Sequence, residues 1–161
     1  MTLVLFIGGA RSGKSRLALE RATAAAAGRP VAFIATGEPR DDEMRDRIDR
    51  HKAERPADWQ TIEEPIELAQ AIASVPDDAT VVVDCLSLWV ANGGSGDDAL
   101  RAAADRAGLT LVVTNEVGMG IVPVNALARS YRDDLGRVNA AWAAAADEAY
   151  LVVAGRTLEL R

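Results

Sequence analysis

Short apolar runs recur along the chain, with charged or alanine-rich stretches between them. Five runs lack any polar alternation, at residues 3–7, 31–35, 80–83, 109–113 and 150–153. Strands that are apolar on both faces are typical of a parallel sheet covered by helices on both sides. Helix-like patterns fill the intervals, at residues 14–27, 41–54, 66–74, 97–107 and 126–148. This alternation predicts an α/β fold with a doubly wound, mostly parallel sheet.

The C-terminal residues follow a different pattern. After the run at 150–153 come Ala154, Gly155 and Arg156, and then alternating residues at 157–160. This order predicts a hairpin whose last strand is antiparallel and lies at the edge of the sheet. Residues 60–63 are a weaker strand candidate. The glycine-rich stretch at 92–96 is too short to separate domains, so residues 1–161 are predicted to form one domain.

Composition narrows the partners and the compartment. The net charge of −6 repels a phosphate backbone, which argues against general nucleic-acid binding and requires a local device for binding phosphates. The single cysteine, Cys85, permits no internal disulfide and suits a reducing compartment. No apolar run approaches the roughly 20 residues of a membrane span. We therefore expect a cytoplasmic protein without a membrane segment.

The first strand leads directly into a glycine-rich motif. Its residues are Gly8, Gly9, Ala10, Arg11, Ser12, Gly13, Lys14 and Ser15. They match G-x-x-x-x-G-K-[ST], in which backbone N–H groups surround phosphate oxygens, the lysine reaches the β- and γ-phosphates and the serine hydroxyl ligates Mg²⁺. The alternative is a chance turn, but a strand before the motif and a helix after it are the required setting. The motif predicts a nucleotide site of the P-loop type.

Other chemistry-bearing residues follow the remaining strands. Ligands of open α/β sheets bind beyond the carboxyl ends of the strands, where Thr36 and Gly37, Asp84, and Asn115 and Glu116 are predicted to meet. Asp84 follows a valine run, as the acidic Mg²⁺ partner does in P-loop enzymes, although a loop acid is the alternative. Glu116 is equally consistent with a metal, base or sugar contact and with a solvated acid.

The only histidine, His51, lies in a charged helical segment. Met44, Ile48 and His51 are spaced to share one helix face, which points the imidazole toward the body of the protein. A neutral imidazole can attack phosphorus and form a covalent phosphoramidate. A hydrogen-bonded structural histidine is the alternative reading of this residue taken alone.

Three segments together resemble a known enzyme family. They are GGARSGKS at residues 8–15, IATGEPRDDEMRDRIDRHKAERPADW at residues 34–59 and TNEVGMGIVPVNALARSYRDDLGRVN at residues 114–139; AAAADEAYLVVAG at residues 143–155 also matches. The chain resembles the bifunctional adenosylcobinamide kinase/adenosylcobinamide-phosphate guanylyltransferases of cobalamin biosynthesis. The P-loop is generic, whereas H-K-x-x-R-P-x-x-W and T-N-E-V-G-x-G-I-V-P are far more specific.

The resemblance implies two reactions that use ATP or GTP with Mg²⁺. Adenosylcobinamide is phosphorylated, and GMP is then transferred from GTP to that phosphate through a histidine–GMP intermediate, for which His51 is the matching residue. The implied nucleotide contacts are the P-loop and Ala35, Thr36, Gly37, Lys52, Ala53, Glu54, Arg55, Glu63 and Asp84. The family enzyme is a homotrimer with its site near the subunit boundary.

Several points stay open at this level. A P-loop kinase without transferase activity would leave His51 structural, and a non-catalytic nucleotide-binding regulator could use the glycines around Met119 as a switch. Residues 92–100 form a shorter region than the family leads us to expect, and Asp84 stands where some relatives are expected to carry Glu. Arg129, Arg132 and Arg137 fit phosphate or corrinoid contacts and solvated helix charges equally well.

Overall fold

A seven-stranded sheet forms the centre of the chain. The structure is a computed structural model that describes residues 2–161, with the backbone alone for Arg47. The strand order is β3-β2-β4-β5-β1-β6-β7; all neighbours are parallel except β6 and β7. The strands are β1 (Thr2–Gly8), β2 (Val31–Ala35), β3 (Gln60–Glu63), β4 (Thr80–Asp84), β5 (Leu109–Asn115), β6 (Glu148–Val153) and β7 (Arg156–Leu160). The helices are α1 (Lys14–Ala26), α2 (Asp42–Ala53), α3 (Leu68–Ala73), α4 (Leu86–Ala91), α5 (Asp98–Ala104) and α6 (Ala126–Ala145).

Four of the five apolar runs are buried on both faces of the sheet, as their lack of alternation predicts. The run at 150–153 is the exception, since only Val152 is fully buried and Val153 is 60% exposed. On one face Val4, Phe6 and Val82 pack with Ala18 and Ala22 of α1. The other face packs against α3, α5 and α6, through a cluster that includes Leu5, Ile34, Val83, Leu68, Ile72 and Trp142. The doubly wound fold is confirmed. Within residues 2–161, no helix has both the length and the apolar composition needed to cross a bilayer.

The C-terminal hairpin and the weak strand are also confirmed. Residues 60–63 form β3 at one edge of the sheet, and β7 is antiparallel at the other edge. The hairpin turn is tighter than predicted, because Arg156 already belongs to β7 and only Ala154 and Gly155 connect the strands. Both residues have positive φ, at 50° and 75°, which is the conformation of a two-residue turn compatible with strand twist.

Three helices differ from the prediction in detail, and the first is the helix predicted at residues 97–107, which ends at Ala104. The last helix was predicted to reach residue 148 but ends at Ala145, and Glu148 already begins β6. Asp147 starts this pairing with β1, since its N–H donates to the Leu3 carbonyl at 2.9 Å and its carboxylate accepts the Leu3 N–H at 2.7 Å. The alanines at 143–146 carry no end signal. Helix α4 was not predicted, because six residues are too few for a helical period to be recognised.

Candidate functional site

The phosphate loop connects β1 to α1. The Gly8 carbonyl accepts the Glu116 N–H at 3.0 Å, which fixes the start of the loop to the neighbouring strand end. Gly13 has φ of 98°, a left-handed conformation that favours glycine, and it caps the first turn of α1. The Lys14 side chain is buried and donates from Nζ to the Gly9 carbonyl at 2.8 Å. The motif therefore has the local structure that its sequence predicts.

The loop offers polar groups to a ligand. Gly9, Ala10 and Arg11 are exposed on its open side, whereas Ser12 is buried. The Ser12 hydroxyl is shielded from water and has no hydrogen-bond partner among the described residues. A buried hydroxyl without a partner is costly, and a phosphate oxygen in the loop is the kind of acceptor that would relieve that cost.

His51 lies at the same edge of the sheet as the phosphate loop. Its ring lines a crevice together with Lys14 and Ser15. Met44 and Ile48 line this crevice too, which confirms the predicted helix face. His51 also lines the adjoining space in front of the loop, with residues 11–16. The imidazole and the phosphate loop therefore share one continuous cleft.

The imidazole has a carboxylate partner. His51 Nδ1 lies 3.3 Å from Asp84 Oδ2, and the Asp84 side chain is 11% exposed against 33% for His51. A proton on Nδ1 would be donated to this carboxylate, which leaves the Nε2 lone pair free. Asp84 is the last residue of β4, so the sheet fixes the partner that orients the ring.

The C-terminal end of α2 is attached to the sheet through Arg55. Its Nε donates to the His51 carbonyl at 3.0 Å, and its guanidinium carbon lies 4.0 Å from the centre of the Phe33 ring. Burial lowers the pKa of Arg55, opposed by the nearby charges of Asp84 and Glu63. Asp41 caps the other end of the helix, since its carboxylate accepts the Met44 N–H at 2.7 Å. Arg55 is thus the contact that fixes the backbone of His51.

The strand-end residues divide into lining and supporting roles. Ala35 and Gly37 line the crevice. Thr36 is fully buried, and its hydroxyl donates to the Cys85 carbonyl at 2.7 Å and accepts the Cys85 N–H at 3.0 Å. Its own N–H and carbonyl are bonded to Asp84 and Asn92, so every polar group of Thr36 has a partner within the protein.

Asn115, which the sequence already places at this edge of the sheet, lines the crevice, although no contact was predicted for it. Its Nδ2 donates to Ser87 Oγ at 2.9 Å, while its Oδ1 is buried without a partner in the described chain. Its position at the end of a central strand was the one sequence feature that indicated a site residue. The functional hypothesis was assigned instead to Glu116, the next residue. The Glu116 carboxylate instead accepts the N–H of Gly118 two residues later.

The remaining predicted nucleotide contacts lie around an outer groove. Lys52 Nζ lies 2.5 Å from Glu63 Oε1, and both line this groove with Ala53 and Arg55. Glu54 faces the space in front of the phosphate loop instead. Arg55 lines both the central crevice and the groove, so it joins the two groups of predicted residues.

The three arginines left open by the sequence have local partners. Arg129 donates to the carbonyls of Pro123 and Val124, while Arg132 and Arg137 pair with Asp133 and Asp134. None of the three lines the central crevice among the residues described. Their contacts fit the interpretation as loop-capping and surface charges.

Three residues bear on metal and nucleophile chemistry. Ser15 and Asp84 both line the crevice, and Mg²⁺ is usually held by one or two protein oxygens together with substrate phosphates, so the residues present fit this ion. Residues 2–161 contain no cluster of three or more His, Cys, Asp or Glu side chains that would hold a metal by themselves. Burial raises the pKa of the Cys85 thiol to about 11, with a further contribution from Asp84, so this thiol stays protonated at neutral pH.

Comparisons with known proteins show the family to which this chain is similar. A model of the family described as cobinamide kinase/cobinamide phosphate guanyltransferase matches residues 4–160. The bifunctional adenosylcobalamin biosynthesis protein CobP of Pseudomonas aeruginosa is 41% identical over 98% of this chain and 96% of its own. The corresponding CobU proteins of Salmonella typhimurium and Escherichia coli are 43% and 39% identical, over 99% of each chain in both cases.

A solved structure supports the fold alone. The chain is similar to a prototypical ATPase from the type III secretion system of pathogenic bacteria, with a TM-score of 0.53 and 11% identity. The match covers 98% of this chain and 56% of that one. At this identity the likeness extends to the fold and not to the reaction.

Proposed function

This chain belongs to the cobinamide kinase/cobinamide phosphate guanyltransferase family, and we propose that a single crevice serves both reactions, with His51 as the guanylyl carrier. The enzyme is bifunctional and acts in adenosylcobalamin biosynthesis. The observation that carries the proposal is that His51 lines the same crevice as Lys14 and Ser15 while its Nδ1 faces Asp84. Because the family carries both activities, membership argues against a kinase without transferase activity and against a non-catalytic regulator.

In the kinase step, the phosphate loop binds the nucleoside triphosphate and positions its terminal phosphoryl group. The Lys14 ammonium and the loop N–H groups stabilise charge on the β- and γ-phosphates, and the alcohol of adenosylcobinamide attacks the γ-phosphorus in line. The bond from phosphorus to the bridging oxygen breaks, and the nucleoside diphosphate leaves. Mg²⁺ held by Ser15 and Asp84 would supply further charge neutralisation on the phosphates.

In the transferase step, Asp84 holds the Nδ1 proton of His51 so that Nε2 carries the attacking lone pair. A bond forms between Nε2 and the α-phosphorus of GTP, the bond to the bridging oxygen breaks, and pyrophosphate leaves. A phosphate oxygen of adenosylcobinamide phosphate then attacks the same phosphorus and releases His51. The outer groove of Lys52, Ala53, Arg55 and Glu63 extends the crevice and is proposed to contact the nucleoside.

Compartment and assembly belong to the same proposal. We place the enzyme in the cytoplasm, where its nucleotide substrates are made, and in a homotrimer with the site near a subunit boundary. An exposed apolar segment at residues 117–127, which includes Ile121, Val124 and Leu127, is compatible with a covered surface next to the crevice.

The experiment separates the two reactions by one substitution. The enzyme and a His51→Ala variant are incubated with GTP labelled at the α-phosphate, and protein-bound label is measured before and after acid treatment. We expect acid-labile label on the wild type and none on the variant, because an alanine cannot form the phosphoramidate and no other histidine exists in the sequence.

The same His51→Ala protein should keep phosphorylating adenosylcobinamide within about threefold of the wild-type rate, since the phosphate loop supplies the main charge stabilisation. Asp49→Ala, an exposed position on the same helix, is the matched control and should retain both activities. Label that survives in His51→Ala would refute the assignment of the carrier.

A further inference from the structure

The C-terminal hairpin touches the phosphate loop from the far end of the chain. The Gly155 N–H donates to the Ser12 carbonyl at 2.8 Å, across more than 140 residues of sequence. Strand β6, which leads into this turn, pairs with β1 so that Val152 lies beside Gly8. The hairpin therefore contacts both the first residue of the loop and the peptide that precedes its last glycine.

The two backbones meet so closely that glycine is required on the loop. A Cβ at Gly13 would lie 3.3 Å from Gly155 Cα, and a Cβ at Gly8 would lie 2.3 Å from the Val152 carbonyl oxygen. Gly155 itself has φ of 75°, at the second position of the two-residue turn.

The hydrogen bond to Ser12 fixes the direction of the next N–H group. In a trans peptide the carbonyl and the following N–H point in opposite directions, and the Ser12–Gly13 peptide is trans. A carbonyl of Ser12 that points out to the hairpin turns the Gly13 N–H to the opposite side. A phosphate-binding loop depends on N–H groups that converge on its interior.

We propose that Gly155 is a positioning residue for the phosphate loop, and that the β6–β7 turn holds the Ser12–Gly13 peptide in the orientation that binds a nucleotide phosphate. The proposal rests on the proposed function only in that the loop binds nucleotide; it does not depend on His51. In this proposal Gly155 acts through the Ser12–Gly13 peptide and not on the substrate. The hydrogen bond on the Ser12 carbonyl also polarises the peptide and strengthens the Gly13 N–H as a donor.

The test compares two glycines with the same backbone strain. Gly155→Ala and Gly28→Ala both place a Cβ at positive φ, 75° and 84°, and neither Cβ meets an atom closer than 3.6 Å. We expect similar losses in Tm. Only Gly155→Ala should weaken binding of a fluorescent non-hydrolysable GTP analogue, by about threefold, because only that turn contacts the loop. Gly155→Asn, which tolerates positive φ, should restore the affinity to within about twofold.

A stronger variant and a measurement on the wild type complete the test. Gly155→Pro removes the N–H and also breaks the turn, because the proline ring fixes φ at about −65° whereas Gly155 has φ of 75°, so it should raise the Kd of the analogue at least about tenfold. If that variant does not fold, amide hydrogen exchange of wild-type Gly155 decides: we expect it to slow about tenfold when nucleotide binds, by linkage. Equal affinities of Gly155→Ala and Gly28→Ala, or an exchange rate of Gly155 that nucleotide leaves unchanged, would overturn the proposal.

Discussion

The two helices that border the crevice are attached to the protein in opposite ways. Helix α1, which begins at Lys14, buries that residue together with Ala18 and Ala22 against the sheet. Helix α2, which carries His51, has no fully buried side chain among those described, and Met44, Ile48 and His51 are only half-buried. The phosphate-binding element is part of the core, and the proposed guanylyl carrier lies on an element held by few contacts.

This difference matches the two tasks. A phosphate loop has to present fixed N–H groups, so rigidity improves binding and catalysis. A covalent carrier has to reach the phosphorus of one substrate and then present it to another. An element with few buried contacts moves at a lower free-energy cost than one in the core. The structure therefore places the phosphate loop on a buried helix and the proposed carrier, His51, on a less buried one.

The largest expected effect on stability follows from a methyl group added at the start of the phosphate loop. In Gly8→Ala, the new Cβ would approach the Val152 carbonyl oxygen to 2.3 Å and Ser12 Oγ to 2.9 Å. Backbone in the middle of a sheet cannot move aside cheaply, so we expect a loss of about 3 kcal/mol in the free energy of unfolding, measured by urea titration.

Gly136→Ala is the matched control for this substitution. Gly136 lies in α6, where a Cβ would meet no atom within 4 Å, so alanine should stabilise the helix by up to about 1 kcal/mol. A Gly8→Ala protein as stable as the wild type would show that the loop is not built into the sheet as tightly as its contacts indicate.

The second effect concerns the link between α2 and the sheet. Asp84→Asn keeps the shape of the side chain but removes the charge that faces His51 Nδ1. We expect the histidine–GMP adduct to form about 10–100-fold more slowly, the loss typical of removing a partner that orients an imidazole. Rapid-quench measurement of bound label, with GTP affinity measured in parallel, separates this effect from weaker nucleotide binding.

Asp84→Glu is the informative control because it keeps the carboxylate on a longer side chain. It should form the adduct faster than Asp84→Asn. An Asp84→Asn enzyme that forms the adduct at the wild-type rate would mean that Asp84 serves nucleotide or metal alone and that the ring is oriented by other contacts.

The sequence predicts the phosphate loop and α1 better than it predicts the position of α2 and His51, for physical reasons. The phosphate loop is a local motif whose conformation depends on a few consecutive residues, and the apolar runs report burial on both faces directly. The position of His51 beside the loop required two further facts, the helix face shared with Met44 and Ile48 and the strand order that brings β2 and β4 to the same edge. The helix face came from periodicity, whereas the strand order was not predicted.

Contacts between distant residues could not be predicted from these patterns. The position of Arg55 over Phe33, the unpartnered Oδ1 of Asn115 and the hydrogen bond from Gly155 to Ser12 all depend on how separate elements pack. Periodicity and local motifs in one sequence do not indicate which distant residues come into contact. Thr36 is the reverse case, since its place at a strand end indicated a ligand contact while its polar groups are bonded within the protein.

The smallest predicted effect is a pH dependence of the free energy of unfolding, and it arises from a contact between α1 and β6. Arg21 of α1 donates two hydrogen bonds to Glu148 of β6, at 2.6 and 2.8 Å, and Tyr150 donates a third. The bonds from Arg21, and then that from Tyr150, lower the pKa of Glu148 from 4.5 to about 2. The corresponding tie on the α2 side, between Lys52 and Glu63, is a single exposed contact.

A carboxylate with a lowered pKa stabilises the folded state above its unfolded pKa and loses that contribution as the pH falls toward the folded value. Glu148→Gln should therefore cost about 1 kcal/mol at pH 7, since the pair is one-third exposed and screened by water. The difference from wild type should shrink between about pH 4.5 and pH 2. Urea unfolding of both proteins at pH 7 and pH 2.5 measures this difference. Glu20→Gln, which removes an exposed ion pair on the same helix, is the control and should have a smaller effect. A difference that is the same at both pH values would mean that shape, and not charge, ties α1 to the sheet.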